Sequence, residues 1–309
     1  MVTETSTAVA PVALPRQIAW WREFGLLTLG YLLYAQVRTL HGTSLTPADN
    51  RLAERNGRAI WDLERALHLD WEHAVQRVFL PHEWFVKLVG GFYGGAHFFV
   101  TLAAVIWLLA ARPQAYRFWR SVLAVTTFTA VGIFAVYPAW PPRVFPVGER
   151  TVDTLDVVGG LWSYNHGVLE RISDPFAPMP SLHLAWATWV AAAVWSALPA
   201  RRWRTRLLVA AYPAATYFAV IVTGTHFVID GVAGMALLGL CYLLVRAVSR
   251  RRSRNRGERT ETEGHERSER PGEPQRRAVA AGAVTGPVRR DAAGGDGAAV
   301  HRQVHLRQD

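Results

Sequence analysis

Cysteine is nearly absent: Cys241 is the only one in 309 residues, and it lies inside an apolar run. That excludes an intrachain disulfide framework and any cysteine-based metal site. Lysine is equally scarce, with Lys87 the sole example, so arginine carries the positive charge. The opening stretch, MVTETSTAVAPVALPRQ, lacks a basic run followed by an apolar core and a small-residue cleavage site. No cleaved signal peptide is expected from it. Acidic residues are outnumbered, 24 against 34 Lys and Arg, which leaves a formal net charge of +10. From Ser249 onward Phe, Trp, Tyr, Ile and Met are missing altogether. Such a segment cannot bury enough apolar surface to offset its ordering entropy, so 249–309 is expected to be a disordered, basic cytoplasmic tail. The lack of aromatics between its charges also argues against nucleic acid as a partner. Its arginines beside the last apolar run suit anionic membrane lipids instead.

What is present is apolar: half of the residues are hydrophobic. That fraction beside so high a charge does not suit a soluble globule and does suit a polytopic membrane protein. Six apolar segments approach the roughly 20 residues that a bilayer crossing needs. They are Ile18–Val37, Val89–Leu109, Ser121–Pro138, His183–Leu198, Leu207–Thr223 and Phe227–Val245. The expected fold is all-α, with a tail at 1–17 and a six-span domain at 18–248. Within 38–82, Leu52, Ala59, Ile60, Leu63, Leu67, Trp71, Ala74, Val75 and Val78 recur every three or four residues. That is an amphipathic helix period. The segment reads either as helices lying along the membrane surface or as a helical pair packed on the bundle.

Arginines set the orientation. Arg112, Arg117 and Arg120 lie between the second and third spans, RRWRTR brings four more between the fourth and fifth, and others follow the sixth. The fifth-to-sixth connection, around GTH, carries none. By the positive-inside rule both termini are cytoplasmic. The head of the fourth span and the GTH connection then share the extracytoplasmic face of the cell membrane.

Each of those two places holds a histidine. In APMPSLHLAW, Pro178 and Pro180 disfavour helix, Ser181 is a good N-cap, and His183 falls in the first helical turn. A helix start with a hydroxyl and a histidine is an anion site, with phosphate the obvious candidate. An ionisable residue in an apolar span is a functional hypothesis by default. In VTGTHFVIDGVAG, Gly224 breaks the chain between spans, and His226 and Asp230 are four apart, on one helix face. An aspartate so placed can hold one imidazole N–H and aim the other nitrogen's lone pair at a substrate. In YPAWPPRVFP, Arg143 follows two stiffening prolines, and its guanidinium suits phosphate. His97, in FYGGAHFF, reads as a structural histidine or as one that lines the pocket.

MPSLH followed some forty residues later by GTHFVID resembles the second and third signature motifs of the type 2 phosphatidic acid phosphatase superfamily. Pro138 to Arg143 resembles the reduced P-x-x-P-P-R first motif of the branch containing inositol phosphorylceramide synthase. The fuller Lys-x6-Arg-Pro form is missing, since Gly94 stands seven residues after Lys87. The resemblance implies that His226 attacks phosphorus to give a phosphohistidine, and that Asp230 orients it. It implies that His183 protonates the leaving alkoxide while Arg143 and Ser181 hold phosphate oxygens. No metal and no cofactor are implied. The partners would be a lipid phosphate and membrane lipids, the acceptor water or an alcohol such as an inositol hydroxyl. Two rivals use the same histidines: a bis-histidine haem protein and a metal site on His226 and Asp230. A non-catalytic transporter or scaffold is the third alternative.

Overall fold

The computed structural model of the chain describes residues 21–23, 25, 28–30, 32, 47–145, 152–154 and 179–269. Two compact units divide it, Met1–Arg254 and Asn255–Asp309. Among the described residues every regular element is helical. In chain order these are α1 (Pro47–Ala66), α2 (Glu72–Phe79), α3 (Glu83–Ala111), α4 (Pro113–Val136), a 3-10 turn (Pro142–Val144), α5 (Leu182–Ala197), α6 (Trp203–Val222) and α7 (Val228–Glu269).

Four helices are long and apolar enough to cross a bilayer: α3, α4, α6 and the Val228–Arg256 part of α7. They correspond to four of the six expected spans, which makes this a membrane protein. The fourth expected span, α5, is apolar but has only 16 residues. At 1.5 Å per residue it is about 24 Å long, short of the roughly 30 Å hydrocarbon thickness. Its ends explain the length. Ser181 caps the start in an extended conformation (ψ 113°), and Leu198 leaves the helix at ψ 140° because Pro199 follows it. The first expected span, Ile18–Val37, lies partly outside the described residues, and those described between 21 and 32 are helical. Helices α3, α4 and α6 begin four or more residues before their expected apolar runs. Pro113 opens α4, where its missing N–H costs nothing, and α3 begins at Glu83.

The expectation of disorder from Ser249 is corrected in part, because α7 runs on to Glu269. Extending a formed helix adds a hydrogen bond per residue without the cost of nucleation. The run RRRSRNRGERTETEGHERSE is rich in good helix formers. The rest of the expected tail, 270–309, lies outside the described residues.

The bundle core is aromatic, and three of its indole N–H groups find acceptors. The indole of Trp189 donates to the Trp119 carbonyl at 2.8 Å, that of Trp119 to Ser196 Oγ at 2.9 Å, and that of Trp186 to Thr127 Oγ1 at 3.0 Å. These bonds tie α4 to α5. Among the residues described before α1, Glu23 is buried. It accepts from the Tyr116 hydroxyl at 3.0 Å and pairs with Arg120, both on α4. Leu207, Leu208, Leu240, Leu243 and Leu244 stay exposed on α6 and α7, as lipid allows, since it is as apolar as leucine.

The contacts of α1 and α2 are those of a helical pair packed on the bundle. On α1 the buried face is Ala53, Asn56, Gly57, Ile60 and Glu64, and on α2 Glu72 and Gln76 are buried. Trp140 N–H donates to the Ala53 carbonyl at 2.9 Å, and Asn56 Nδ2 to the Pro138 carbonyl at 2.8 Å. Gly57 allows this approach: a Cβ there would lie 2.7 Å from the Trp140 carbonyl oxygen, a backbone atom. Gly57→Val is therefore expected to lower the stability of the detergent-solubilised protein by about 1–3 kcal/mol, measured as an earlier thermal transition.

Candidate active site

The loop between α6 and α7 is built by backbone bonding. Gly224 takes φ 66°, its N–H bonds to the Ile221 carbonyl at 3.1 Å, and Thr225 N–H bonds to the Val220 carbonyl at 3.1 Å. That is a Schellman ending, and it requires a residue at ease with positive φ. The Thr223 and Thr225 hydroxyls, 3.0 Å apart, brace the same turn. His226 comes next, only 4% exposed.

Asp230 then closes the start of α7. Its Oδ2 accepts the Phe227 N–H at 2.9 Å, so an acid at the third helical position reaches back to the N-cap amide, as in half of a capping box. The same oxygen lies 3.5 Å from His226 Nδ1. One fully buried carboxylate thus serves both the helix start and the imidazole.

The head of α5 docks on this turn. Ser181 N–H donates to the Asp230 carbonyl at 3.0 Å, and Ser181 Oγ accepts the Leu184 N–H at 3.4 Å. His183 follows, and its Nδ1 lies 3.3 Å from His226 Nε2. The two histidines, expected only to share a face, are in direct contact. If Asp230 holds a proton on His226 Nδ1, Nε2 carries the lone pair and His183 Nδ1 must be the donor.

Arg143 reaches the same loop through its backbone, donating to the Gly224 carbonyl at 3.0 Å. Its guanidinium donates to Asp153 Oδ2 at 2.7 Å, and both side chains are largely buried. Lys87 pairs instead with Glu83 on the surface of α3, at 3.8 Å. All five candidate residues, His183, His226, Asp230, Arg143 and Ser181, are therefore joined to the α6–α7 turn or to one another by these contacts.

His97, expected to be structural or to line the pocket, lies against His183, and further neighbours were not expected at all. The His97 ring lies edge-on to His183 with centroids 4.2 Å apart, and Tyr93 stacks on His183 at 4.6 Å. His97 Nδ1 bonds to the Tyr93 carbonyl at 3.1 Å. The i, i+4 spacing of Tyr93 and His97 was the available signal. Glu64 and Glu72 were unsuspected altogether. Glu64 Oε1 accepts the Ile229 N–H at 2.9 Å, and Glu72 Oε1 accepts the Val228 N–H at 3.2 Å. The sequence carried no clear trace of them: Leu52, Leu63 and Leu67 of the expected apolar stripe are exposed, and Glu64 lies on the buried face with Ala53, Asn56 and Ile60.

Residues 58–244, more than half of the chain, match the family model of the PAP2 superfamily. Among solved structures, the crystal structure of Aquifex aeolicus LpxE is similar at 13% identity, with a TM-score of 0.43, over 58% of this chain and 94% of that one. No curated protein matches the sequence.

The docking of α5 on α7 depends on Gly234, where a Cβ would lie 2.2 Å from the Ser181 carbonyl oxygen. At Gly231 the atoms nearest a Cβ belong to the Tyr217 ring, the first at 2.5 Å, and a side chain can yield where backbone cannot. Gly234→Ala is expected to destabilise the protein by about 1–3 kcal/mol, and Gly231→Ala by less. Thermal unfolding of the two variants side by side checks the order.

Proposed function

The chain belongs to the PAP2 superfamily, and from that premise we propose that it is a membrane lipid phosphatase that works through a phosphohistidine on His226. The observation that carries the reading is the His183–His226–Asp230 array, with its 3.3 Å and 3.5 Å contacts. A hydrogen-bonded imidazole pair backed by a carboxylate suits phosphoryl transfer better than it suits two axial ligands of a haem.

In the first step the lone pair on His226 Nε2 attacks phosphorus and the bond from phosphorus to the lipid oxygen breaks. His183 gives its Nδ1 proton to that oxygen, so the lipid leaves as an alcohol. Asp230 keeps the proton on His226 Nδ1 and stabilises the positive charge that develops on the ring. In the second step His183 removes a proton from water, whose oxygen attacks the phosphohistidine, and phosphate leaves. The substrate must part the two histidines, since phosphorus enters where they now touch. Arg143, Ser181 and the start of α5 hold the phosphate oxygens without a metal or cofactor.

The array is at the end of the bundle where α5 begins. At the other end of α5, Arg112 Nε donates to the Ala197 carbonyl at 3.1 Å, so the two arginine-rich loops meet there. That separation supports an extracytoplasmic site and cytoplasmic termini. A second reading, transfer to an alcohol acceptor as in the inositol phosphorylceramide synthase-like branch, is favoured by one observation. The Pro138–Arg143 segment, with its reduced motif, supplies the arginine at the site, while Lys87 is held on the surface.

The test is phosphate release by detergent-purified protein from dioctanoyl phosphatidic acid and from an aryl phosphate. His226→Ala is expected to abolish release from both. His183→Ala is expected to cost roughly 10²–10⁴-fold on the alkyl phosphate and much less on the aryl one, whose leaving group needs little protonation. Equal losses on both substrates would remove His183 from the role of acid. Faster turnover and a new phosphoester on adding inositol would select the transferase reading.

A further inference from the structure

The catalytic turn is not held by the bundle alone. Three successive amides open α7, and each donates to a carboxylate: Phe227 to Asp230 at 2.9 Å, Val228 to Glu72 at 3.2 Å and Ile229 to Glu64 at 2.9 Å. Glu64 and Glu72 are wholly buried. They come from α1 and α2, more than 150 residues earlier in the chain.

Capping alone does not account for two glutamates there. The first amides of a helix lack partners, and a serine, threonine or asparagine side chain can serve them at little cost. Burying a carboxylate costs several kcal/mol even after relaxation. The acceptors used here are side-chain oxygens of two other helices, 2.9 and 3.2 Å from the amides, so they tie the start of α7 to α1 and α2 as a local cap would not. They fix the backbone on the C-terminal side of His226, between the attacking imidazole and Asp230.

The same helix secures the other side. Gln76, one turn after Glu72, donates through Nε2 to the Val222 carbonyl at 3.0 Å and to the Val152 carbonyl at 2.9 Å, and accepts from Val152 N–H at 2.9 Å. Val222 ends α6 just before the His226 turn, and Val152 adjoins Asp153, the partner of Arg143. The polar residues of α2 therefore touch both flanks of the nucleophile loop and the segment that holds the phosphate-binding arginine.

Resting on the phosphohistidine reading, we propose that Glu64 and Glu72 are positioning residues for His226. They set the backbone of the first turn of α7 so that the imidazole is aligned for attack, and they touch neither substrate nor phosphorus. The α1–α2 pair is on this account a template for the active site. A misplacement of about 1 Å in a reacting group costs on the order of 10²-fold in rate, which sets the size of effect to expect.

The experiment uses the full-length protein in detergent, with dioctanoyl phosphatidic acid as the probe and His226→Ala as the inactive reference. Glu64→Ala and Glu72→Ala are expected to lower kcat per folded molecule by roughly 10–100-fold with KM changed less than about threefold. Glu64→Gln and Glu72→Gln, whose amide oxygens still accept the same N–H groups, are expected to recover most of the rate. They also serve if the alanine variants fail to fold. Hydrogen–deuterium exchange over 226–231 is expected to quicken in the alanine variants and to stay slow in the glutamine ones. Alanine variants with wild-type kcat beside an inactive His226→Ala would overturn the inference and leave the phosphohistidine reading intact. So would glutamine variants that fold and are as slow as alanine ones. A wild-type protein that releases no phosphate would count against the phosphatase reading; exchange at Val228 and Ile229 would then decide alone, and unchanged protection in the alanine variants would overturn the positioning role.

Discussion

One backbone hydrogen bond, from Ser181 N–H to the Asp230 carbonyl at 3.0 Å, brings the site together. It joins the head of α5 to the first turn of α7 and so places His183 against His226, 43 residues later in the chain. The bond can form only because Gly234 has no side chain to meet the Ser181 carbonyl. It also explains why α5 is so short. The helix must start at the level of the α7 turn, and its proline-flanked end stops it about 24 Å further on.

A membrane protein has little hydrophobic drive to pack its spans, because lipid is as apolar as the residues that face it. In the described bundle, specific polar contacts join the helices. Indole N–H groups find carbonyls and hydroxyls between α4 and α5. Buried glutamates find the amides of a helix start. An unmade bond of this kind is expensive where no water can replace it. The contacts that hold the site are therefore also among those that specify how the helices meet.

Much of the candidate site was legible because the chemistry proposed for it needs local spacing. His226 and Asp230 are four residues apart, Ser181 precedes an apolar run as an N-cap, and Gly224 marks a chain reversal. Each of these is a short-range pattern. Ser181 and Gly224 are found as expected, whereas His226 lies two residues before α7 and off its face, and reaches Asp230 Oδ2 at 3.5 Å from the loop. Arg143 was legible through the prolines before it. Glu64 and Glu72 were not, since an acid in an amphipathic helix usually means a solvated face, and only its partner across the fold shows otherwise. His97 was half-legible, because its spacing to Tyr93 was visible but its contact with His183 was not.

By itself the sequence determined the class of the protein: apolar runs that become helices, arginines that mark one end of them, and motifs at the other. These follow from properties that a residue carries into any context, namely hydropathy, charge and backbone preference. The tertiary structure decided which helix starts meet, that the α1–α2 pair lies against the loop that carries His226, and that α7 continues past the arginine run to Glu269. Those outcomes depend on hydrogen bonds and close approaches between residues far apart in the chain, where the energy belongs to the pair and neither partner alone reveals it.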